Sequence, residues 1–439
     1  MTLRLDPAGP PIAAFAGNGA AQSPVTHPLP SPLGAGLTRT ATISTSIAAD
    51  GGLLDRLNGI PKVDIPENLE AAISAGRRMT SMLREVVSLR RGAGKLTPNE
   101  YFYYRLWEPT LTAAEKRRFV GKQAQHLMHL ACNDPGWYAA AADKLLFQTL
   151  MAGTRLPVPP LLAVTQAGRR GGEARALGSP PEIARFLRDL QIYPLFAKPI
   201  AGKYSLSVVS ADRYDASTDE VLLLGGERKT VEGLAADLAS GTGYVIQRRL
   251  DGNARLARLF GPRLWSVRAL VLAGPSGPVI HRAVAKIATG NNPADNFWRR
   301  GNMLGAIELE TGLINRVVRG TGAEMSLDEA HPDTKRPIVG TLIPQWEALT
   351  RLVVSAAEIL PGIRTQSWDV ALAAEGPVLL EVNYGGDLNL AQLAHGAGVL
   401  DERYSEHLGR CGYRSRALQG AKGEHKSRPV ISTFPSSVN

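Results

Sequence analysis

Two neighbouring stretches hold the residues best suited to chemistry. The first is Ser367-Trp368-Asp369-Val370-Ala371-Leu372 and the second is Gly376-Pro377-Val378-Leu379-Leu380-Glu381-Val382-Asn383. Apolar residues alternate on either side of Ala374-Glu375-Gly376, the pattern of a β-hairpin. With a three-residue loop and Gly376 in the left-handed position, residue 373 faces 377, and counting back, 369 faces 381. Asp369 and Glu381 then become cross-strand neighbours, and Asn383, two residues on, shares their face. Two carboxylates and an amide oxygen converging among apolar residues need a cation to join them. An all-oxygen donor set suits Mg²⁺ or Mn²⁺ rather than zinc. The same residues also read as polar positions at a strand end. A one-residue slip in register would put the carboxylates on opposite faces.

Candidate cationic partners lie elsewhere. Phe196-Ala197-Lys198-Pro199-Ile200 is a strand that ends in lysine and enters a loop of small residues holding Gly202, Lys203 and Ser205. An ammonium beside free backbone amides makes a phosphate grip. A hairpin turn with exposed lysines fits the same residues. No G-x-x-x-x-G-K-[ST] occurs, and no G-x-G-x-x-G follows a strand. Arg268 sits mid-strand in Trp265–Leu272, and Lys286 ends Val284–Ile287. An arginine in a buried strand needs an anion, either a structural carboxylate or a bound phosphate or carboxylate. The polar and aromatic loop Asp295–Asn302, opening with Asp295 and Asn296, is of the type that contacts substrate. The eight histidines are scattered and are expected on surfaces and helices. No Ser-His-Asp or Cys-His arrangement emerges.

The elements that must position these residues come from a chain of 439 residues, 44% hydrophobic and 21% charged. That length holds about two or three domains with a sizeable core. The net charge of +10 is dispersed in pairs such as Arg90-Arg91 and Arg299-Arg300. It fits an anionic ligand as well as nucleic acid, but no clustered basic arm supports a nucleic-acid partner. Cys132 and Cys411 make neither a disulfide framework nor a zinc site and read as buried or idle thiols. No apolar run reaches membrane-span length, and the N-terminus lacks a secretory h-region, so a cytoplasmic protein is expected.

Residues 1–60 are rich in Gly, Ala, Pro, Ser and Thr and read as a disordered leader; the tail 414–439 has the same character. A helical region is expected over 61–141. It opens at Pro66 with a stripe of Leu69, Ile73, Met82, Val86 and Leu89, and continues through capping boxes at Thr97–Glu100 and Thr112–Glu115. Leu127 and Leu130 are placed on its later helices. Strands are expected at Leu161–Val164, Tyr193–Lys198, Leu206–Ser210, Val221–Gly225, Tyr244–Leu250, Leu264–Ala273, Val279–Ile287 and Met303–Leu309. The hairpin arms complete the set. The helices between them are Pro181–Leu190 and a Trp346–Leu360 stripe. Adjacent strands with sparse helices indicate an α+β chain with largely antiparallel sheets.

Taken in order, several segments resemble the ATP-grasp superfamily, and within it the sugar-transfer-associated group found in polysaccharide-type gene neighbourhoods. They are Tyr101–Leu106, Glu115–Gly121, Asp143–Phe147, Pro157–Pro159, Ala197–Pro199, Ser266–Arg268 and Gly376–Asn383, within about Asn99 to Tyr413. The resemblance implies two α+β lobes, 142–248 and 249–413, clasping ATP. It implies Lys144 and Lys198 on the nucleotide, Lys198 at the α-phosphate and near the adenine. Gly202–Ser207 becomes a loop over the phosphates, and the hinge Tyr244–Leu250, with Gln247 and Leu250, meets adenine and ribose. Arg268 and Lys286 become catalytic, Arg268 touching the transferred phosphoryl group. Asp369, Glu381 and Asn383 become Mg²⁺ ligands, and Asn389 could add another or contact substrate.

The chemistry implied is phosphorylation of a carboxylate followed by amine attack, with small-molecule or sugar-linked substrates. A kinase or phosphotransferase and a non-catalytic ATP-binding protein are the competing readings. One departure stands out: the hinge reads Gln247-Arg248-Arg249 where acidic residues usually meet the ribose, leaving Gln247 or Asp251 as substitutes.

Overall fold

The structure, a computed structural model, describes residues 60–414 except 202–206, 291, 293–294, 298 and 385. The expected leader and tail, and Gly202, Lys203 and Ser205 of the expected phosphate loop, lie outside the described residues.

Among the described residues, fourteen strands form two seven-stranded, mostly antiparallel sheets. The first contains β1 (Leu161–Val164), β2 (Arg175–Ala176), β3 (Leu195–Pro199), β4 (Val209–Asp215), β5 (Glu220–Leu223), β6 (Arg228–Thr230) and β7 (Tyr244–Arg248), in the order β2-β1-β7-β3-β4-β5-β6. The second contains β8 (Ser266–Gly274), β9 (Gly277–Ile287), β10 (Met303–Ile307), β11 (Ile314–Arg319), β12 (Ser326–Leu327), β13 (Thr365–Ala373) and β14 (Gly376–Tyr384), in the order β12-β11-β10-β9-β8-β13-β14. Apart from β1 with β2, every neighbouring pair is antiparallel. The chain is therefore α+β, as its strand spacing indicates.

Side-chain alternation decides what covers each face of the second sheet. Val267, Ala269 and Val271 of β8, with Trp368 and Val370 of β13, pack on the helix Trp346–Glu358. Gln366 anchors that helix, its side-chain amide Nε2 donating to the carbonyls of Ala357, Leu360 and Ile363 at 3.0, 3.1 and 2.7 Å. The opposite face, through Leu270, Leu272, Val284, Leu304 and Val318, packs against the N-terminal helices and the helix Leu388–His395. In the first sheet, the helices Pro180–Leu187 and Val231–Leu238 cover one face. The other face carries the small cluster Leu145, Val164, Ile200 and Val245. Lys198 stands opposite Val245, on that sparsely covered face.

Several expectations change. The stripe from Leu69 to Leu89 belongs to two helices, Ile65–Ser74 and Met79–Arg91, and Ile73 is 47% exposed. On the helix Lys122–Cys132 the buried positions are Ala124, Gln125, Met128, His129 and Cys132, while Leu127 and Leu130 face solvent. Helices are more numerous than expected, including Val231–Leu238, Ala254–Phe260, Leu388–His395 and Glu402–Arg410. His129 and His407 lie on helices, as expected, but are buried; His281, in β9, and His331 are buried off any helix. Both capping boxes form as read, at Thr97 with Glu100 and Thr112 with Glu115.

Candidate active site

The hairpin brings Asp369 opposite Glu381 by a route different from the loop count. Ala373 pairs with Gly376, so the turn holds two residues, Ala374 and Glu375, with Gly376 at φ 135°. That register runs one residue out of step with a three-residue loop. A bulge then inserts Leu380: Val370 pairs with Leu379, but Asp369 pairs with Glu381. The extra residue restores the facing carboxylates and redirects a backbone carbonyl. Lys198 uses it, Nζ donating to the Leu380 carbonyl oxygen at 3.0 Å. The lysine of the first sheet thereby reaches the hairpin of the second.

The cation that paired carboxylates require is, for Asp369, supplied by the protein. Arg268, directly opposite Asp369 on β8, donates Nε to Oδ1 at 2.7 Å and Nη2 to Oδ2 at 2.6 Å. Lys286 on β9 adds Nζ to Oδ2 at 3.3 Å. The two side chains of the bidentate pair are only 14% and 4% exposed. Of the two anions open to Arg268, its partner here is a structural carboxylate.

The pair extends into an alternating row of charge. Lys286 also meets Asp295 Oδ1 at 3.2 Å, and the Ser266 hydroxyl donates to the other Asp295 oxygen. Arg268 Nη1 lies 3.7 Å from Asp387 Oδ2. Lys122 Nζ donates to Asp387 Oδ1 at 2.5 Å and to Asn389 Oδ1 at 3.0 Å. Read across the sheet, the sign alternates through Lys122, Asp387, Arg268, Asp369, Lys286 and Asp295. Burial opposes each charge, yet the neighbours prevail. Burial alone would raise the Asp369 carboxyl, but Arg268 and Lys286 hold it well below the usual carboxylate range. Burial likewise opposes the Arg268, Lys286 and Asp387 charges. The net shifts are nonetheless up for the two cations, beside Asp369 and Asp295, and down for Asp387, beside Lys122 and Arg268.

Two groups stand beside this row with less compensation. Burial pushes Lys198 down to about 8, only partly countered by the Glu381 charge, while Lys144 pushes it further down. No hydrogen bond or ion pair claims the Glu381 carboxylate among the described residues, and Asn383 keeps a buried Nδ2 without a partner. Glu381 and Asn383 are thus oxygen donors on one face of one strand, next to a lysine that lacks a full counter-charge.

The remaining expected residues fall as follows. Lys144 opens the helix Lys144–Gly153, capped by Asp143, and its backbone amide donates to the Ile200 carbonyl at 3.0 Å, beside the end of β3. Gln247 is buried and donates Nε2 to Gln148 Oε1 at 2.7 Å. Leu250 is half-buried just beyond β7. Arg248 turns to the carbonyls of Gln191 and Tyr193, and Arg249 to Asp212, so neither hinge arginine points at a common site. Asn296 contributes its carbonyl to Asn302 Nδ2 at 2.8 Å. Asn389 is buried in a helix, held by Lys122. Sequence reading missed Lys122 and Asp387. The available signal was the pair Asp387 and Asn389, two residues apart just before an apolar helix, but the partner lysine lies 265 residues away.

Comparison with known proteins gives three findings. The family model described as sugar-transfer associated ATP-grasp matches residues 123–407. No curated protein matches the chain. Solved structures resemble it distantly. The ATP-grasp ligase PsnB, complexed with a phosphomimetic variant of minimal precursor, Mg and ADP, is 16% identical with a TM-score of 0.35, over 64% of this chain and 61% of that one. An L-amino acid ligase from Bacillus licheniformis is 16% identical with a TM-score of 0.33, over 59% and 43%. Biotin carboxylase from Campylobacter jejuni is 9% identical with a TM-score of 0.38, over 66% and 50%. The chain thus spans less than two thirds of the length of each.

Proposed function

This chain belongs to the sugar-transfer-associated ATP-grasp family, and on that premise we propose that it is an ATP-dependent carboxylate–amine ligase acting through an acyl phosphate. The observation that carries the reading is the pairing of an under-compensated, buried Lys198 with an unclaimed Glu381 beside an electroneutral row of charges. A triphosphate is the kind of anion Lys198 lacks, and Lys144 stands near enough to add its charge. Phosphoryl transfer asks for positioning and charge neutralisation more than for a protein nucleophile, and this site offers fixed charges.

The donor set fits a magnesium ion. Glu381 supplies a free carboxylate and Asn383 an amide oxygen two residues away, both hard oxygen ligands. Asp369 could join them only by loosening its contacts with Arg268 or Lys286. Magnesium bound there would neutralise phosphate charge. Arg268 and Lys286, held by Asp369 and Asp295, would keep a fixed positive field beside the transferred group. In the reaction, the substrate carboxylate oxygen attacks the γ-phosphorus and ADP leaves. The amine nitrogen then attacks the acyl carbon, phosphate leaves, and the amine gives up a proton as the amide forms. The carboxylate and amine are small or sugar-linked molecules, and the protein works in the cytoplasm.

The test is ADP release from purified protein with Mg²⁺·ATP and paired pools of carboxylates and amines. ADP and phosphate appearing in equal amounts, and only when both pools are present, is the expected result. ADP release without an amine, leaving a stable phosphorylated product, would make the protein a kinase instead. No ATP binding at all would remove the enzyme reading.

A further inference from the structure

At the Thr365 end of β13, on the sheet face that Asp369 and Arg268 also share, three soft ligands converge. Cys132 ends the helix Lys122–Cys132, His407 lies in the last turn of the helix Glu402–Arg410, and Cys411 follows that helix directly. Their ligand atoms all lie within 4.8 Å of one another. The Cys411 Sγ stands 3.7 Å from His407 Nε2. Tetrahedral zinc with a sulfur at about 2.3 Å and a nitrogen at about 2.05 Å separates those two ligands by about 3.6 Å, so this edge already has the right length. We propose that Cys132, His407 and Cys411 form a zinc site that clamps the C-terminal helix onto the N-terminal helical region.

The surroundings are built rather than accidental. Arg364 donates Nε to the Cys132 carbonyl at 2.6 Å and Nη2 to the Ala131 carbonyl at 3.0 Å, fixing the end of the first helix. The Asn133 side chain holds Thr365: Oδ1 accepts from the Thr365 amide at 2.9 Å, and Nδ2 donates to the Thr365 carbonyl at 3.3 Å. That places the Thr365 hydroxyl 3.1 Å from His407 Nε2, at the edge of the triad. The buried Tyr404 hydroxyl beside this group has no hydrogen-bond partner among the described residues. A cavity of about 370 Å³, lined in part by His407, Cys411, Arg364 and Arg410, opens onto the cluster. Three protein ligands leave one position of a tetrahedron, which a water from this cavity can fill. Two thiolates neutralise Zn²⁺, so binding releases the thiol protons and adds no net charge beside Arg364.

The site stands apart from the nucleotide reading, and its test does not depend on ligase activity. Reduced full-length protein, stripped of metal, is titrated with Co²⁺ as a spectroscopic stand-in for Zn²⁺. One equivalent producing a sulfur-to-cobalt charge-transfer band, displaced by Zn²⁺, is the expected result. The band should be lost in Cys411→Ser, a near-isosteric change at a partly buried position, and weakened in His407→Gln. Zinc should also raise the thermal midpoint of the wild type but not of Cys411→Ser. Absence of the band in reduced wild-type protein overturns the proposal. So does a band that persists in Cys411→Ser, or a protein that forms only a Cys132–Cys411 disulfide and takes up no metal.

Discussion

Replacing Arg268 with methionine should destabilise the fold and not merely slow the enzyme. The substitution keeps an unbranched apolar stem and removes the guanidinium charge. It leaves Asp369, whose side chain is 4% exposed, without the two hydrogen bonds at 2.7 and 2.6 Å. Stranding a buried charge costs about 3–5 kcal/mol. Lys286 remains 3.3 Å from the same carboxylate, which moves the expectation to the lower end, about 3 kcal/mol. Asp387 loses a neighbour at 3.7 Å but keeps Lys122. For a chain of this size such a loss lowers Tm by about 4 °C. The assay is calorimetric melting of four proteins: wild type, Arg268→Met, Asp369→Leu and the double variant. The double variant should melt above either single one, since it removes both charges together and leaves Lys286 to Asp295. An Arg268→Met protein melting within about 1 °C of wild type would refute the reasoning. So would a double variant in which the two losses simply add.

Lys198→Met should weaken ATP binding by about 1.5–3 kcal/mol, the worth of a charge-assisted contact, and calorimetric titration measures it directly. An unchanged affinity would separate Lys198 from the nucleotide. Low pH should destabilise the protein through its buried histidines. Burial pushes His281 down to about 4 and His129 down to about 3, whereas an unfolded histidine titrates near pH 6.5. Between those values the unfolded chain binds more protons, so stability falls as pH drops from about 6.5 towards 4. Melting of His281→Leu across that window should show a shallower pH slope than wild type, and an identical slope would contradict the assignment.

Much of the second sheet was legible because β8, β9 and β13 follow the apolar and alternating patterns of buried strands. The catalytic-type hairpin was legible for a less secure reason. A two-residue turn and a bulge at Leu380 each shift the register by one, and the shifts cancel. Bulges leave no reliable mark in a sequence, so the facing carboxylates were reached by an incorrect turn. The Arg268 environment was half legible: a buried strand arginine demands an anion, but which one depends on cross-strand register. Lys122 was invisible because its partners Asp387 and Asn389 arrive from the far end of the chain. The same distance hid the meeting of Cys132 with His407 and Cys411, which spacing alone had set aside as idle thiols. β11 was missed because Asn315, Arg316 and Arg319 break its apolar run. Leu127 and Leu130 lie on a helix as read, but face solvent because small and polar residues, Ala124 and Gln125, occupy its packed side.

The central claim is that a metal-bound nucleotide sits between Lys198 and the Glu381 strand. Titration of ATP into wild type and Glu381→Gln, each with and without Mg²⁺, tests it most directly. Wild type should bind ATP far more tightly with Mg²⁺ than without. Glu381→Gln should lose that dependence while melting close to the wild-type temperature, because no hydrogen bond or ion pair among the described residues uses its carboxylate, although its charge helps keep Lys198 protonated. Equal, magnesium-dependent affinity in both proteins would contradict the account.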